Sequence, residues 1–230
     1  MPSPQPSFAV LWDLDGTLID SEHYWMHAEQ TLASRYSGNW TEAHGLQLVG
    51  LSLYESAAIM RDQMGIDDMG LQEIIDELTR SVIANLRKEI PWRPGAKELL
   101  SGLRSNGVKT AMVTMSMSRM AQEVADAIEF DAFDLVLGGD QVTRGKPHPE
   151  PYLEAANKLG FAPRDCIAFE DSLNGLVSAE SAGTIAIGIP NIVALPTQPG
   201  RIIWESLVGK DFMHLHELHQ EKVSTNGSNS

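Results

Sequence analysis

Residues 8–17 read Phe8-Ala9-Val10-Leu11-Trp12-Asp13-Leu14-Asp15-Gly16-Thr17, an apolar run that ends abruptly in two carboxylates and a glycine. Five apolar residues bounded by turn chemistry predict a buried strand. Asp13 and Asp15 stand two apart, so strand alternation and a turn at Gly16 aim both side chains toward the mouth of a sheet. Open α/β sheets bind their ligands at such strand ends. A calcium loop starting at Asp13 fails, because its sixth position is Leu18 and its twelfth is Tyr24, where glycine and glutamate are needed. An ordinary Asp-Gly turn remains the structural alternative for the pentapeptide alone.

Working outward, short apolar runs recur at residues 109–114 (KTAMVT), 135–137, 166–169 (CIAF) and 184–189 (TIAIGI), separated by helical patterns or turns. This alternation predicts an α/β fold with a parallel sheet. Pro94 suits the first turn of a helix carrying Leu99, Leu100 and Leu103, and Asn106-Gly107 stops that pattern. Gly160 and Gly183 read as two more helix stops. Between Leu18 and Pro91 strand signals vanish, and Ile74, Ile75, Leu78, Val82, Ile83 and Leu86 recur at three- and four-residue spacing. Ser52-Leu53-Tyr54-Glu55 opens another helix as a capping box. The expectation is a core of residues 1–18 and 92–230 with an inserted helical domain, residues 19–91, that acts as a lid. The polar stretch 221–230 is expected to fray.

The chain has 230 residues, and 17 Lys+Arg against 31 Asp+Glu give a net charge of −14, which suits solubility and argues against binding nucleic acid. With 43% hydrophobic and 21% charged residues it reads as an ordinary globular protein. No apolar run approaches the roughly 20 residues of a membrane span. The opening MPSPQPS has no basic residue and precedes only a short apolar run, so a cytoplasmic protein is expected. The single cysteine, Cys166, cannot form an internal disulfide and reads as a buried structural residue.

Further chemistry follows the other predicted strands. Glu170-Asp171-Ser172 again delivers acid at a strand end, so a second carboxylate group can converge on the first. Carboxylates and a backbone carbonyl without a His/Cys cluster suit a small hard cation such as Mg²⁺. Asp171 has a bland alternative as a helix N-cap. Lys146-Pro147-His148-Pro149 stiffens a loop around one lysine, a cation able to neutralise phosphate charge beside the carboxylates. Alone it would read as a solvated surface charge. His148 has no metal-spaced partner. Thr114 ends its strand with Ser116 and Ser118 following, where a hydroxyl and amides can bind a phosphate oxygen, although Ser118 equally suits a helix cap. Met112, Met115, Met117 and Met120 read as gap-fillers.

Taken in order, these four motifs resemble those of the haloacid dehalogenase superfamily, in the subfamily whose helical cap follows the first motif. D-x-D-G-T lies at residues 13–17, the hydroxyl motif at Thr114, the lysine motif at Lys146 within K-P-x-P, and the acidic motif at Glu170-Asp171, closed by Gly175. The resemblance spans roughly residues 8–190. It implies a Rossmann-like parallel sheet core with helices on both faces, an inserted α-helical cap domain, and Mg²⁺ held by Asp13, Asp15, Glu170 and Asp171.

What it implies for chemistry is hydrolysis of a phosphate monoester. Asp13 would be the nucleophile forming an aspartyl-phosphate, Asp15 the general acid and base, and Thr114 and Lys146 the charge stabilisers. The substrate-contacting set is expected to be Glu22, His23, Gly50, Ser52, Thr114, Met115 and Lys146, with Trp25 and Leu51 as further cap candidates. The expected partner is a small phosphorylated metabolite, a sugar phosphate or phosphoglycolate-like monoester, and the expected state is a monomer or weak homodimer. Phosphoryl transfer as in β-phosphoglucomutases is the enzymatic rival. This chain has Trp25 and Leu53 where those mutases carry a histidine and an arginine, and Thr17 where valine is common. Asp15 speaks against dehalogenation. A non-catalytic phosphate- or partner-binding module is the alternative of another class.

Overall fold

A computed structural model describes residues 6–36 and 39–227; residues 1–5 of the opening and residues 228–230 of the terminal stretch lie outside the described residues. The first strand, β1, is Ala9–Trp12, fully buried. A helical stretch comes next: α1 Glu22–Ala33, α2 Glu42–Leu46, α3 Leu53–Met64 and α4 Leu71–Leu86. Then helix and strand alternate through α5 Ala96–Ser105, β2 Lys109–Val113, α6 Ser118–Ala127, β3 Leu135–Leu137, α7 Glu150–Leu159, β4 Cys166–Glu170, α8 Leu173–Ser181 and β5 Ile185–Gly188. A two-residue strand β6, Ile202–Ile203, and helix α9, Phe212–Gly227, close the chain.

The six strands pair in parallel in the order β3-β2-β1-β4-β5-β6. The chain therefore runs outward from β1 to one edge and restarts on its other side at β4. Such a reversal opens a crevice at the carboxyl ends of the two strands, and the acidic motifs end those two strands.

Strand alternation sorts the core into two layers. Val10, Trp12, Met112, Ile167, Phe169 and Ile187 face the layer of α5, α6 and α9, which runs on without a break into the helices between β1 and α5. Ala9, Leu11, Ala111, Val113, Cys166 and Ala168 face the other layer, where small side chains admit Tyr152, Ala155 and Ala156 of α7 and Leu176 and Ala179 of α8. Each fully buried Leu, Ile or Phe contributes about 1.5–3 kcal/mol. Cys166 is one of these buried residues; its thiol donates to Ala162 O at 3.6 Å, and burial pushes it up to about 12.

Where the chain leaves the sheet it also returns. Ile19 bridges Trp92, Asp20 N donates to Pro91 O at 2.6 Å, and Arg93 N donates to Leu18 O at 3.0 Å. The two crossings thus lie side by side.

Several local readings change. The helix expected to start at Pro94 starts at Ala96 with Gly95 as its N-cap, its φ of +82° being glycine territory. Helix α8 is capped by Ser172, whose hydroxyl accepts from Gly175 N, which leaves Asp171 free for the site. Ser118 does not cap α6: Met117 holds that position, and the Ser118 amide and hydroxyl donate to Asp140. Residues 221–227, expected to fray, continue helix α9, which docks Leu215, Leu218 and His219 against the core while residues 221–225 stay mostly exposed.

Candidate active site

The first motif leaves β1 as a tight turn. Asp13 N donates to Phe169 O at 3.1 Å, extending the β1–β4 ladder by one step, and Gly16 N donates to Ile19 O at 2.8 Å. Gly16 has φ +82°, and a Cβ on it would overlap Asp171 Oδ2, so glycine is required for both conformation and space. Gly175 makes room for Glu170, whose carboxylate occupies the place of its missing side chain.

Asp13, Glu170 and Asp171 converge, each offering an oxygen within 4.8 Å of the others. Lys146 reaches in from its proline-flanked loop. Its Nζ donates to Asp13 Oδ1 at 2.7 Å and Val113 O at 2.9 Å, and lies 2.6 Å from Glu170 Oε1. Tyr152 adds a hydroxyl on Glu170 Oε1 at 2.5 Å, and Thr17 one on Asp171 Oδ1 at 3.5 Å.

Three buried carboxylates share one ammonium, and their protonation shows the imbalance. Burial, then the charge of Glu170, push Asp13 up to about 7 against the pull of Lys146. Burial and Asp13 hold Asp171 well above the usual carboxylate range. For Lys146, burial alone would lower the ammonium, but Asp13 and Glu170 more than offset it and hold it above the ordinary lysine value. An all-oxygen donor set with surplus negative charge fits a small hard cation; zinc would favour His or Cys ligands.

Asp15 faces the same cavity and is held by three donors: Ser21 Oγ at 2.5 Å and Trp25 Nε1 at 2.9 Å on Oδ1, and Ser116 Oγ at 2.6 Å on Oδ2. Thr114 Oγ1 accepts from Ser116 N at 3.0 Å, which folds the loop after β2 around it. The cavity has a volume of about 110 Å³. It brings together Asp13, Asp15, Thr114, Met115, Lys146 and Asp171 from the sheet side with Glu22, Trp25, Gly50 and Leu51 from the helical side. Burial and the charge of Asp15 push Glu22 up to about 8. Glu170 lies just behind, under Lys146 and Tyr152.

Two of the expected contacts are not brought in. His23 points outward from α1, exposed, with its ring tilted against that of Tyr24 at 4.0 Å between centroids. Ser52 is spent on capping α3, where its hydroxyl and amide engage Glu55. Sequence reasoning passed over Ser21, Glu29, Ser56 and Tyr152. Glu29 carried a usable signal, since it stands seven residues from Glu22 on one helix and so shares its face.

Against known proteins, residues 9–183 match the family model described as haloacid dehalogenase-like hydrolase. The chain belongs to that family and is a hydrolase. It is 33% identical over 178 residues to a phosphorylated carbohydrates phosphatase of Thermotoga maritima, covering 76% of this chain and 81% of that one. It is 27% identical over 192 residues to hexitol phosphatase B of Escherichia coli, covering 83% and 86%. Among solved structures, CbbY of Rhodobacter sphaeroides in complex with phosphate superposes with a TM-score of 0.79 at 26% identity, covering 90% and 98%. No helix among the described residues is long and apolar enough to cross a membrane.

Proposed function

We propose that the protein is a Mg²⁺-dependent phosphatase that hydrolyses a small phosphorylated metabolite, a sugar phosphate or phosphoglycolate-like monoester, through an aspartyl-phosphate on Asp13. The observation that carries this is the gathering of the Asp13, Glu170 and Asp171 carboxylates around Lys146, with Asp15 facing the same cavity. The phosphatase names of its relatives support it.

Asp13, Glu170 and Asp171, with the Asp15 carbonyl that the family resemblance implies, would hold the ion. Bound there, Mg²⁺ neutralises the carboxylates and the phosphoryl oxygens. Lys146 draws Asp13 toward its ionised form, partly offsetting burial, and orients it as nucleophile. A free Asp13 oxygen attacks phosphorus in line, and Asp15 passes a proton to the departing oxygen. Asp15 then takes a proton from the water that cleaves the acyl phosphate. Ser21, Trp25 and Ser116 fix the Asp15 carboxylate for both half-reactions, and Thr114 hydrogen-bonds the phosphoryl group. Residues 19–91 form the cap over a core of residues 1–18 and 92–230, and its closure excludes water.

Trp25 and Leu53 line the cavity, which favours hydrolysis over mutase chemistry. The test is phosphate release from a panel of monoesters with and without Mg²⁺, including β-glucose 1-phosphate with glucose 6-phosphate followed. The expected result is Mg²⁺-dependent release that falls by several orders of magnitude in Asp13→Asn. Isomerisation without net release would favour a mutase, and an Asp13→Asn protein as fast as its parent would refute the mechanism.

A further inference from the structure

Beyond the phosphate end the cavity has a second wall, built by Trp25 and Glu29 of α1, Leu48 and Val49 after α2, and Leu53 and Ser56 of α3. Among the described residues, no lysine, arginine or histidine belongs to it. The cation lining the cavity is Lys146, already bound to Asp13 and Glu170. The wall is thus without positive charge, apolar for the most part and acidic at Glu29.

Two polar groups in it are buried and incompletely used. Glu29 is 7% exposed; Trp40 Nε1 donates to its Oε2 at 2.9 Å, while Oε1 has no hydrogen-bond partner among the described residues. Ser56 is also 7% exposed, and its hydroxyl likewise has no partner among the described residues. Neither oxygen is among the fully enclosed unpaired atoms of the described residues, so each stays reachable from the cavity and available to a ligand hydroxyl. Both line the cavity at a distance from the carboxylate cluster in sequence and on the helical side of the site.

We infer that the group esterified to phosphate is a small, uncharged, hydroxyl-bearing one whose distal hydroxyls meet Glu29 and Ser56, and that monoesters carrying a second anion are rejected. This rests on the phosphatase reading and narrows it, separating polyol and sugar phosphates from phosphoglycolate-like ones. A hydroxyl both donates and accepts, so it suits Glu29 ionised or protonated, a useful property for a group that burial pushes up to about 7. A carboxylate or second phosphate finds no cation in either state and is repelled by the ionised one. Trp25, Leu48, Val49 and Leu53 offer the C–H faces of a carbon chain an apolar surface.

The experiment compares matched esters that differ only in a terminal CH₂OH or COO⁻: glycerol 3-phosphate with 3-phosphoglycerate, and erythritol 4-phosphate with 4-phosphoerythronate. With Mg²⁺ present, kcat/KM is expected to favour the hydroxyl member by about 10²-fold or more. Glu29→Gln keeps an acceptor for Trp40 but can turn an amide donor into the cavity. It is expected to shrink that ratio by about tenfold, chiefly through KM. Ser56→Ala is expected to raise KM for the hydroxyl members more than it lowers kcat. A wild-type ratio within about threefold, or a Glu29→Gln protein that lowers both members equally as mere structural damage would, overturns this inference and leaves the phosphatase reading standing. No phosphate release from any monoester, p-nitrophenyl phosphate included, overturns both.

Discussion

Asn174 Nδ2 donates to the carbonyl oxygen of Gly50 at 2.8 Å. One residue opens helix α8, directly behind the acidic motif; the other belongs to the turn that lines the cavity from the helical side. The bond therefore ties the position of the helical wall to the catalytic strand ends. Asn174→Ala is expected to raise KM about tenfold with a smaller effect on kcat, and to cost about 1 kcal/mol of stability. Steady-state kinetics and thermal unfolding check the two parts separately.

Gly16 is the turn that lets Asp171 approach β1. In Gly16→Ala the new methyl needs an unfavourable φ and the space of the Asp171 carboxylate. The expected outcome is a loss of about 1–3 kcal/mol together with at least about a 10²-fold fall in kcat/KM, because two groups of the site move at once. A folded protein retaining parental activity would show that the turn can relax.

The stability of the metal-free protein is expected to fall as pH rises from 4.5 toward 7. Burial raises Glu29 from the ordinary 4.5 to about 7, so the folded state binds its proton more tightly than the unfolded chain does. That contribution is complete below about 4.5 and is lost as pH passes through about 7, a change of about 3 kcal/mol. Glu29→Gln has no such proton. Its melting temperature is expected to decline less between pH 5 and 8 than that of the wild type, by several degrees.

Adding Mg²⁺ at about 10 mM and neutral pH is expected to raise the melting temperature by a few degrees, since an ion that binds only the folded carboxylate cluster stabilises it by mass action. Asp171→Asn removes one of the three converging carboxylates and should abolish most of that shift. A shift that survives the substitution would place the ion elsewhere.

Much of this architecture is legible in the sequence because strand ends announce themselves: an apolar run stopped by Asp-x-Asp-Gly or Glu-Asp-Ser can be read without coordinates. Strand β6 is not, since Ile202-Ile203 is too short to show a period and follows a Pro- and Gly-rich stretch. The end of helix α9 is hidden because its polarity imitates that of a fraying terminus, whereas the part that packs on Phe8, through Phe212 and His219, lies earlier in the helix. On the helical side the motifs give residue neighbourhoods but no facing. Glu22 and His23 are adjacent in sequence, yet a helix turns successive residues by about 100°, so one meets the cavity and the other meets solvent. Ser52 suits substrate binding and capping equally well by residue type, and the capping box wins. Trp25, expected over the leaving group, does line the cavity, and its indole N–H also holds Asp15.

The adjacency of Ile19 and Trp92 has one more consequence. With both ends of the intervening segment pinned on neighbouring backbone positions, the sheet experiences it as a closed loop whose entropy grows only with the logarithm of its length. Helices beyond that junction can be lengthened or redrawn without moving the two crossings, provided the core they share with β1 and β4 and the Ser21 and Trp25 bonds to Asp15 are kept. The reactive carboxylates can therefore stay fixed while the surface that chooses their substrate is rewritten.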